Sequence, residues 1–157
     1  MRNELAYREG VRIDAVLRHK GRTVRTIQPW NPLRLAVERM VGPPEVGALV
    51  VTGVPRGLTG MIGERDVAAA LRRDGASALR VPVREIMSTH VPTTGPHDSL
   101  SSAMLTMTRA RRRHLPVLDD GELVGIVSIG DLVRARLDEV QLEVDVLRDV
   151  YATTHPR

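Results

Sequence analysis

Apolar positions along this chain come in two alternating rhythms, and the alternation is run through twice. Ala48-Leu49-Val50-Val51 and Leu123-Val124-Gly125-Ile126-Val127 are short apolar runs rich in β-branched residues, which predict buried strands. Val67-Ala68-Ala69-Ala70-Leu71 and Asp131-Leu132-Val133-Arg134-Ala135-Arg136-Leu137 take helical spacing, and each follows an apolar run after a tight turn. Upstream, Thr26 to Leu33 leads into Ala36-Val37-Glu38-Arg39-Met40, and Thr93 to Leu100 leads into Ala103-Met104-Leu105-Thr106-Met107. Pro29 and Pro96, Leu33 and Leu100, Ala36 and Ala103, and Met40 and Met107 match at one offset, so the chain contains an internal repeat.

Each unit predicts a short strand near Thr26 or Thr93, a helix capped by Asn31 or Asp98, two strands, and a closing helix. Thr52 to Gly57 and Asp119-Asp120-Gly121-Glu122 supply the turns between the paired strands. The expected fold class is α+β, with two β-α-β-β-α repeats packed as a pseudo-twofold pair around a cleft, because a half of this size buries too little surface alone. Expected boundaries are 11–80 for the first repeat, 81–140 for the second, and 141–157 for a helical extension and tail. Arg73 to Pro82 reads as a surface linker. Ile13 to Leu17 and Val83 to Met87 read as short helical lead-ins, the first within a helix from about Leu5 that packs beside the first unit, with Gly10 as its weak point.

The repeat's chemistry lies at its closing turns, Gly60 to Asp66 (GMIGERD) and Gly125 to Asp131 (GIVSIGD), whose acids are sixty-five positions apart. Ser128 at the turn and Asp131 three residues on point to one side and can together grip a vicinal diol such as a ribose, while N–H groups at the helix start favour an anion. The competing structural explanation is a helix cap with an acid complementing the dipole. In the first copy Gly63 stands where Ser128 stands in the second, which removes a hydroxyl.

Composition narrows the options. The chain has 157 residues, is 42% hydrophobic and 27% charged, and has no Phe, one Trp and two Tyr, so its core is aliphatic and offers little for stacking bases. A net charge of +4 leaves local basic clusters rather than a basic tail. The absence of cysteine excludes disulfides, thiolate metal sites and a cysteine nucleophile, and suits a reducing cytosol. No apolar run has the length of a membrane span and MRNELAYREG has no signal-peptide pattern, so the expected location is cytoplasmic. The histidines at 19, 90, 97, 114 and 155 show no metal-ligand spacing, and no nucleophile–base set, Walker loop or paired acid–base carboxylates are present, so neither a metal site nor an enzyme is expected.

The doubled β-α-β-β-α pattern, the Gly-apolar-apolar-Ser-x-x-Asp turn, and Arg113-His114-Leu115-Pro116-Val117-Leu118-Asp119 before it resemble a tandem pair of CBS domains, or Bateman module, over about residues 11 to 137. The resemblance implies a non-catalytic regulatory module that requires no cofactor. It binds an adenosine-containing ligand (AMP, ADP, ATP or S-adenosylmethionine) between the repeats and signals to a regulated protein through a homodimer. By the same resemblance Ser128 and Asp131 hold the ribose, Thr93 and Thr26 lie near the ligand, and backbone around Ile126, Val127, Met61 and Ile62 lines the adenine slot. Arg113 and His114 face phosphate. Asp66 serves a weaker or vacant first-half site. Two alternatives remain: a nucleic-acid-binding or transcription-linked protein using the basic run Arg109 to His114, and a structural dimer with empty clefts. The apolar stripe Val140, Val144, Leu147 and Val150 or Tyr151 either folds back on the module or pairs with another chain.

Overall fold

The structure, a computed structural model, describes residues 10–53 and 57–154. In the first repeat, β1 (Thr26–Ile27) is followed by α2 (Leu33–Val41), β2 (Ala48–Thr52), β3 (Leu58–Gly63) and α3 (Glu64–Asp74). In the second, α4 (Leu100–Ala110), β4 (His114–Asp119), β5 (Glu122–Ser128) and α5 (Ile129–Thr154) repeat that order, and α1 (Ile13–Lys20) precedes both. β2 is central, parallel to β1 and antiparallel to β3, and its Ala48 to Val51 are all buried, which explains its unbroken apolar run. β4 and β5 form an antiparallel pair joined through Asp120 (φ 46°) and Gly121 (φ 82°), the two positive-φ positions of a tight hairpin turn. Among the described residues no helix is long and apolar enough to cross a membrane.

The strand expected near Thr93 is reduced to one parallel bridge between Thr94 and Val117, so among the described residues the second sheet has no full third strand. The expected caps sit one position off. Asp98 accepts from the Thr94 hydroxyl and the Gly95 amide, both at 2.7 Å, while Ser99 caps α4 by accepting from the Ser102 amide at 3.1 Å. Asn31 likewise accepts from Gln28 N at 3.1 Å, and α2 starts after Pro32 without a side-chain cap. Both side chains reach back to close the preceding turn, the usual competition between a short polar side chain and a helix end. The presumed linker is ordered: Gly75–Arg80 forms a 3-10 turn that buries Ala78 completely.

There are two cores, and they exchange their lead-ins. Ile13, Val16 and Leu17 of α1 pack with Leu100, Met107, Leu115, Val127 and Leu132 of the second repeat. Val83, Ile86 and Met87 pack with Ile27, Leu33, Leu49 and Ile62 of the first. The expectation that the first lead-in lies beside the first unit is therefore corrected, and a cut at 80/81 would divide both cores; Leu5 to Glu9 lie outside the described residues. Two equivalent glycines permit the exchange. A Cβ on Gly125 would lie 2.7 Å from Leu17 Cδ2, and one on Gly60 would lie 2.6 Å from Met87 Sδ and 2.9 Å from the Ser88 carbonyl oxygen. The second lead-in is a short 3-10 helix, Val83–Glu85, rather than an α-helix.

Candidate functional site

The two Gly-to-Asp turns form two corners at the seam between the repeats. Ser128 is the residue before α5 and Asp131 lies in its first turn. The Ser128 amide donates to Asp131 Oδ2 at 2.7 Å and the Asp131 amide donates to Ser128 Oγ at 3.2 Å, a reciprocal cap. Lys20, at the end of α1, closes this corner: its Nζ donates to Asp131 Oδ2 at 2.6 Å and to the Ile126 carbonyl at 3.0 Å. The ion pair is about one-quarter to one-third exposed on each side. Burial works against charge on Asp131, but the hydrogen bonds from Lys20 and Ser128 outweigh it together and hold the carboxyl below its usual range. A hollow of about 280 Å³ opens beside the pair between α1 and α5, lined by Ala15, Val16, His19, Lys20, Asp131 and Leu142 among others.

At the first corner Asp66 Oδ2 accepts from the Gly63 amide at 2.8 Å, and with glycine there no hydroxyl returns the bond. Its cation is Arg112, whose Nη1 lies 3.8 Å from Asp66 Oδ1 while Nη2 donates to Ser88 Oγ. The backbone of Met61 is paired with that of Ser88, each amide donating to the other's carbonyl at 2.9 Å. A hollow of about 60 Å³ remains, lined by Gly47, Met61, Asp66, Arg111, Arg112, Arg113 and His114. The first helical amide of each closing helix is already used, Ile129 N on the Arg113 carbonyl at 2.8 Å and Glu64 N on Gly47 at 3.2 Å, so neither helix start is as bare as its sequence suggests.

The predicted site residues are thus regrouped. Met61, Asp66, Arg113 and His114 share the hollow at the Asp66 corner, while the Arg113 carbonyl also holds the first amide of α5 next to Ser128. His114 still pairs with Ser128 across the sheet. Burial, with Arg113 and Lys20 nearby, pushes its imidazole below the ordinary range against the opposing pull of Asp131 and Glu64. Ser128 and Asp131 stay together, and Ile126 contributes its carbonyl. The side chains of Val127 and Ile62 are fully buried in the two cores because alternate strand residues face inward, so only their backbone is left to face a ligand. Thr93 is exposed and outside the lining of both hollows, and Thr26 offers its carbonyl to Arg39 at 2.6 Å.

Lys20 and Ser88 went unnoticed in the sequence and Arg112 was read only as part of the basic run, and no spacing could have shown their partners: Lys20 and Asp131 are 111 positions apart. In the basic run Arg109 lies in the last turn of α4 and Arg111 (φ 52°) caps its end, turning the chain into the loop that carries Arg112 and Arg113. Among the described residues no three His, Asp or Glu side chains converge as a metal-binding group.

Comparisons with known proteins point to one family. The CBS domain profile matches residues 83–138. A mitochondrial CBS domain-containing protein of Arabidopsis thaliana is 35% identical over 147 residues, 88% of this chain and 71% of that one. The crystal structure of a CBS-domain containing protein from Agrobacterium tumefaciens superposes with a TM-score of 0.77 at 34% identity, covering 80% of this chain and 92% of its own. The CBS domain pair of protein MJ0100, solved in complex with 5′-methylthioadenosine and S-adenosylmethionine, shares the fold at a TM-score of 0.69 and 22% identity, over 79% of this chain and 98% of that one.

Proposed function

Because the chain belongs to the CBS-domain family, a family of regulatory modules, we propose that it is a non-catalytic sensor whose Ser128–Asp131 corner binds an anionic adenosine compound of the AMP, ADP or ATP class. The observation that carries this reading is the Asp131 carboxylate, ionised, partly exposed and held at the seam by its own helix cap and by Lys20. Both bonds fall on Oδ2, which leaves Oδ1 to accept from a ribose hydroxyl. A diol on Oδ1 leaves Lys20 on Oδ2, so the ammonium stands beside the bound ligand and favours an anionic compound over a neutral nucleoside. The 280 Å³ hollow beside the pair is close to the lower end of small-molecule pockets, roughly 300 Å³. The methylthioadenosine and S-adenosylmethionine bound by the MJ0100 pair support the adenosine class. In this reading the chain works as a homodimer, and ligand changes how the two repeats sit and hence the surface a regulated protein reads, by no more than its differential affinity for the two states.

Calorimetry and thermal shift with AMP, ADP, ATP, 5′-methylthioadenosine and S-adenosylmethionine test it. One dominant site per chain is expected. Asp131→Asn should weaken binding at least tenfold, and Lys20→Met should cut the preference for AMP or ATP over methylthioadenosine about tenfold, equivalent to one charge-assisted contact of roughly 1.4 kcal/mol. An unchanged melting temperature across all five compounds would leave the structural dimer as the better description. Steeply salt-dependent retention on DNA would favour the basic run instead.

A further inference from the structure

The described part of α5 outruns the module it belongs to, and its surface has a regular pattern. Val133, Leu137, Val140, Val144 and Leu147 are spaced alternately by four and three residues, and Tyr151 continues the spacing. These side chains are 36–68% exposed. That is a heptad seam with Leu137 and Val144 at a and Val133, Val140 and Leu147 at d. The side of α5 that faces the body is different: Leu132 is buried in the second core, Glu139 accepts from the Val11 amide at 3.2 Å, and Leu142 lines the hollow against α1. At 100° per residue that side lies roughly 140° around the helix from the seam, so the seam points away from the body and is accessible to another chain.

We propose that the seam pairs with the same helix of a second copy as a parallel, two-stranded coiled coil. The charges beside it choose both partner and direction. Arg136 and Glu143 fall at g, and Arg134, Gln141 and Arg148 at e. Parallel pairing sets each Glu143 against Arg148 of the other copy and each Arg136 against Gln141, with no like charges facing. Antiparallel pairing sets Arg134 against Arg148 and Glu143 against Glu143, so it meets repulsion at both. Although the seam is shorter than three full heptads, the helix is already folded and anchored on the second core, so pairing does not bear the cost of helix nucleation. The inference rests on the reading that the chain is a dimer and is independent of which ligand it binds.

The sequence contains no cysteine, so single cysteines report the pairing without background. Val140→Cys and Leu147→Cys should each form a self-disulfide on mild oxidation of the full chain. In an antiparallel pair the two 147 positions would be about 15 Å apart along the axis and would not join. By sedimentation, Val140→Asp/Leu147→Asp should weaken the dimer at least a hundredfold with an unchanged circular-dichroism spectrum. Glu143→Arg should weaken it about tenfold, and adding Arg148→Glu should restore it. Cross-linking at 140 alone, a monomeric wild type, or a dimer indifferent to the double Asp variant would each overturn the proposal. In the last case the dimer stands on another surface and the ligand reading is untouched; conversely, loss of nucleotide binding with the 147 cross-link intact would fail the ligand reading alone.

Discussion

The corners at Asp66 and Asp131 arise from the same local pattern, yet they ended in different states. At each, a glycine sixty-five positions from its counterpart lets a lead-in press against a strand, an acid three residues into the turn accepts its own turn's amide, and a cation answers the acid. At Asp131 the cation is a flexible lysine on two acceptors, with a hollow beside it; at Asp66 it is Arg112, also held by Ser88, and the space is small. A compact ammonium point charge on a flexible stem is easier to displace than a planar guanidinium, whose fixed fork holds several donors in place at once. A duplicated framework thus does not make identical corners, because the groups that tune each one come from segments outside the repeated turn.

The largest expected disturbance of the comparison is at the glycines. Gly60→Ala should cost about 2–3 kcal/mol and Gly125→Ala about 1 kcal/mol, since overpacking costs roughly 1–3 kcal/mol and the alanine at 60 meets the backbone oxygen of Ser88, whereas at 125 it meets only the ends of the Leu17 side chain. Denaturant unfolding of the two variants measures this, and equal losses would show that the two lead-ins are seated alike.

A smaller effect sharpens the comparison by exchanging the turn residues. Ser128→Ala removes the hydroxyl from the reciprocal cap and should cost about 1 kcal/mol. A Cβ on Gly63 meets nothing nearer than 3.4 Å, so Gly63→Ser fits, should gain a few tenths of a kcal/mol by capping α3, and gives Asp66 the companion hydroxyl that Asp131 has. A second, weaker binding event by calorimetry in Gly63→Ser would show that the hydroxyl limits the first corner; none would place the limit at Arg112.

The smallest effect concerns His114, on the seam between the corners. Its folded imidazole is pushed below the ordinary range by burial, Arg113 and Lys20, so the unfolded chain takes up the proton more readily. The associated stability is present above the ordinary imidazole value of about 6.5 and is lost as pH falls below it toward the folded value. Melting temperature measured from pH 7.5 to 5 should therefore decline, and His114→Asn should flatten that part of the slope. An identical slope in the variant would assign the decline to other groups.

The α+β class, both repeats and the Gly-to-Asp turns were legible because they rest on signals within a few residues: β-branched runs, helical spacing, and glycine at turns. The errors cluster where a short polar side chain had two local choices, as with Asn31 and Asp98, or where a strand had too few residues to show a period, as at Thr93 and Thr94. Ser128 and Asp131 were legible as a pair because one turn of chain joins them, while Lys20 and Arg112 were not.

The order of strands and helices, the duplication and the placing of an acid after each second strand were thus determined by the amino-acid sequence read alone. Only the tertiary structure decided that α1 completes the second core and Val83 to Met87 the first, that Lys20 meets Asp131, and that Arg113 and His114 stand between the two corners and line the hollow at Asp66. Local spacing is imposed by backbone geometry and steric preference over one or two turns, whereas those contacts come from the fit of surfaces far apart in the chain, which exists only once both cores have closed.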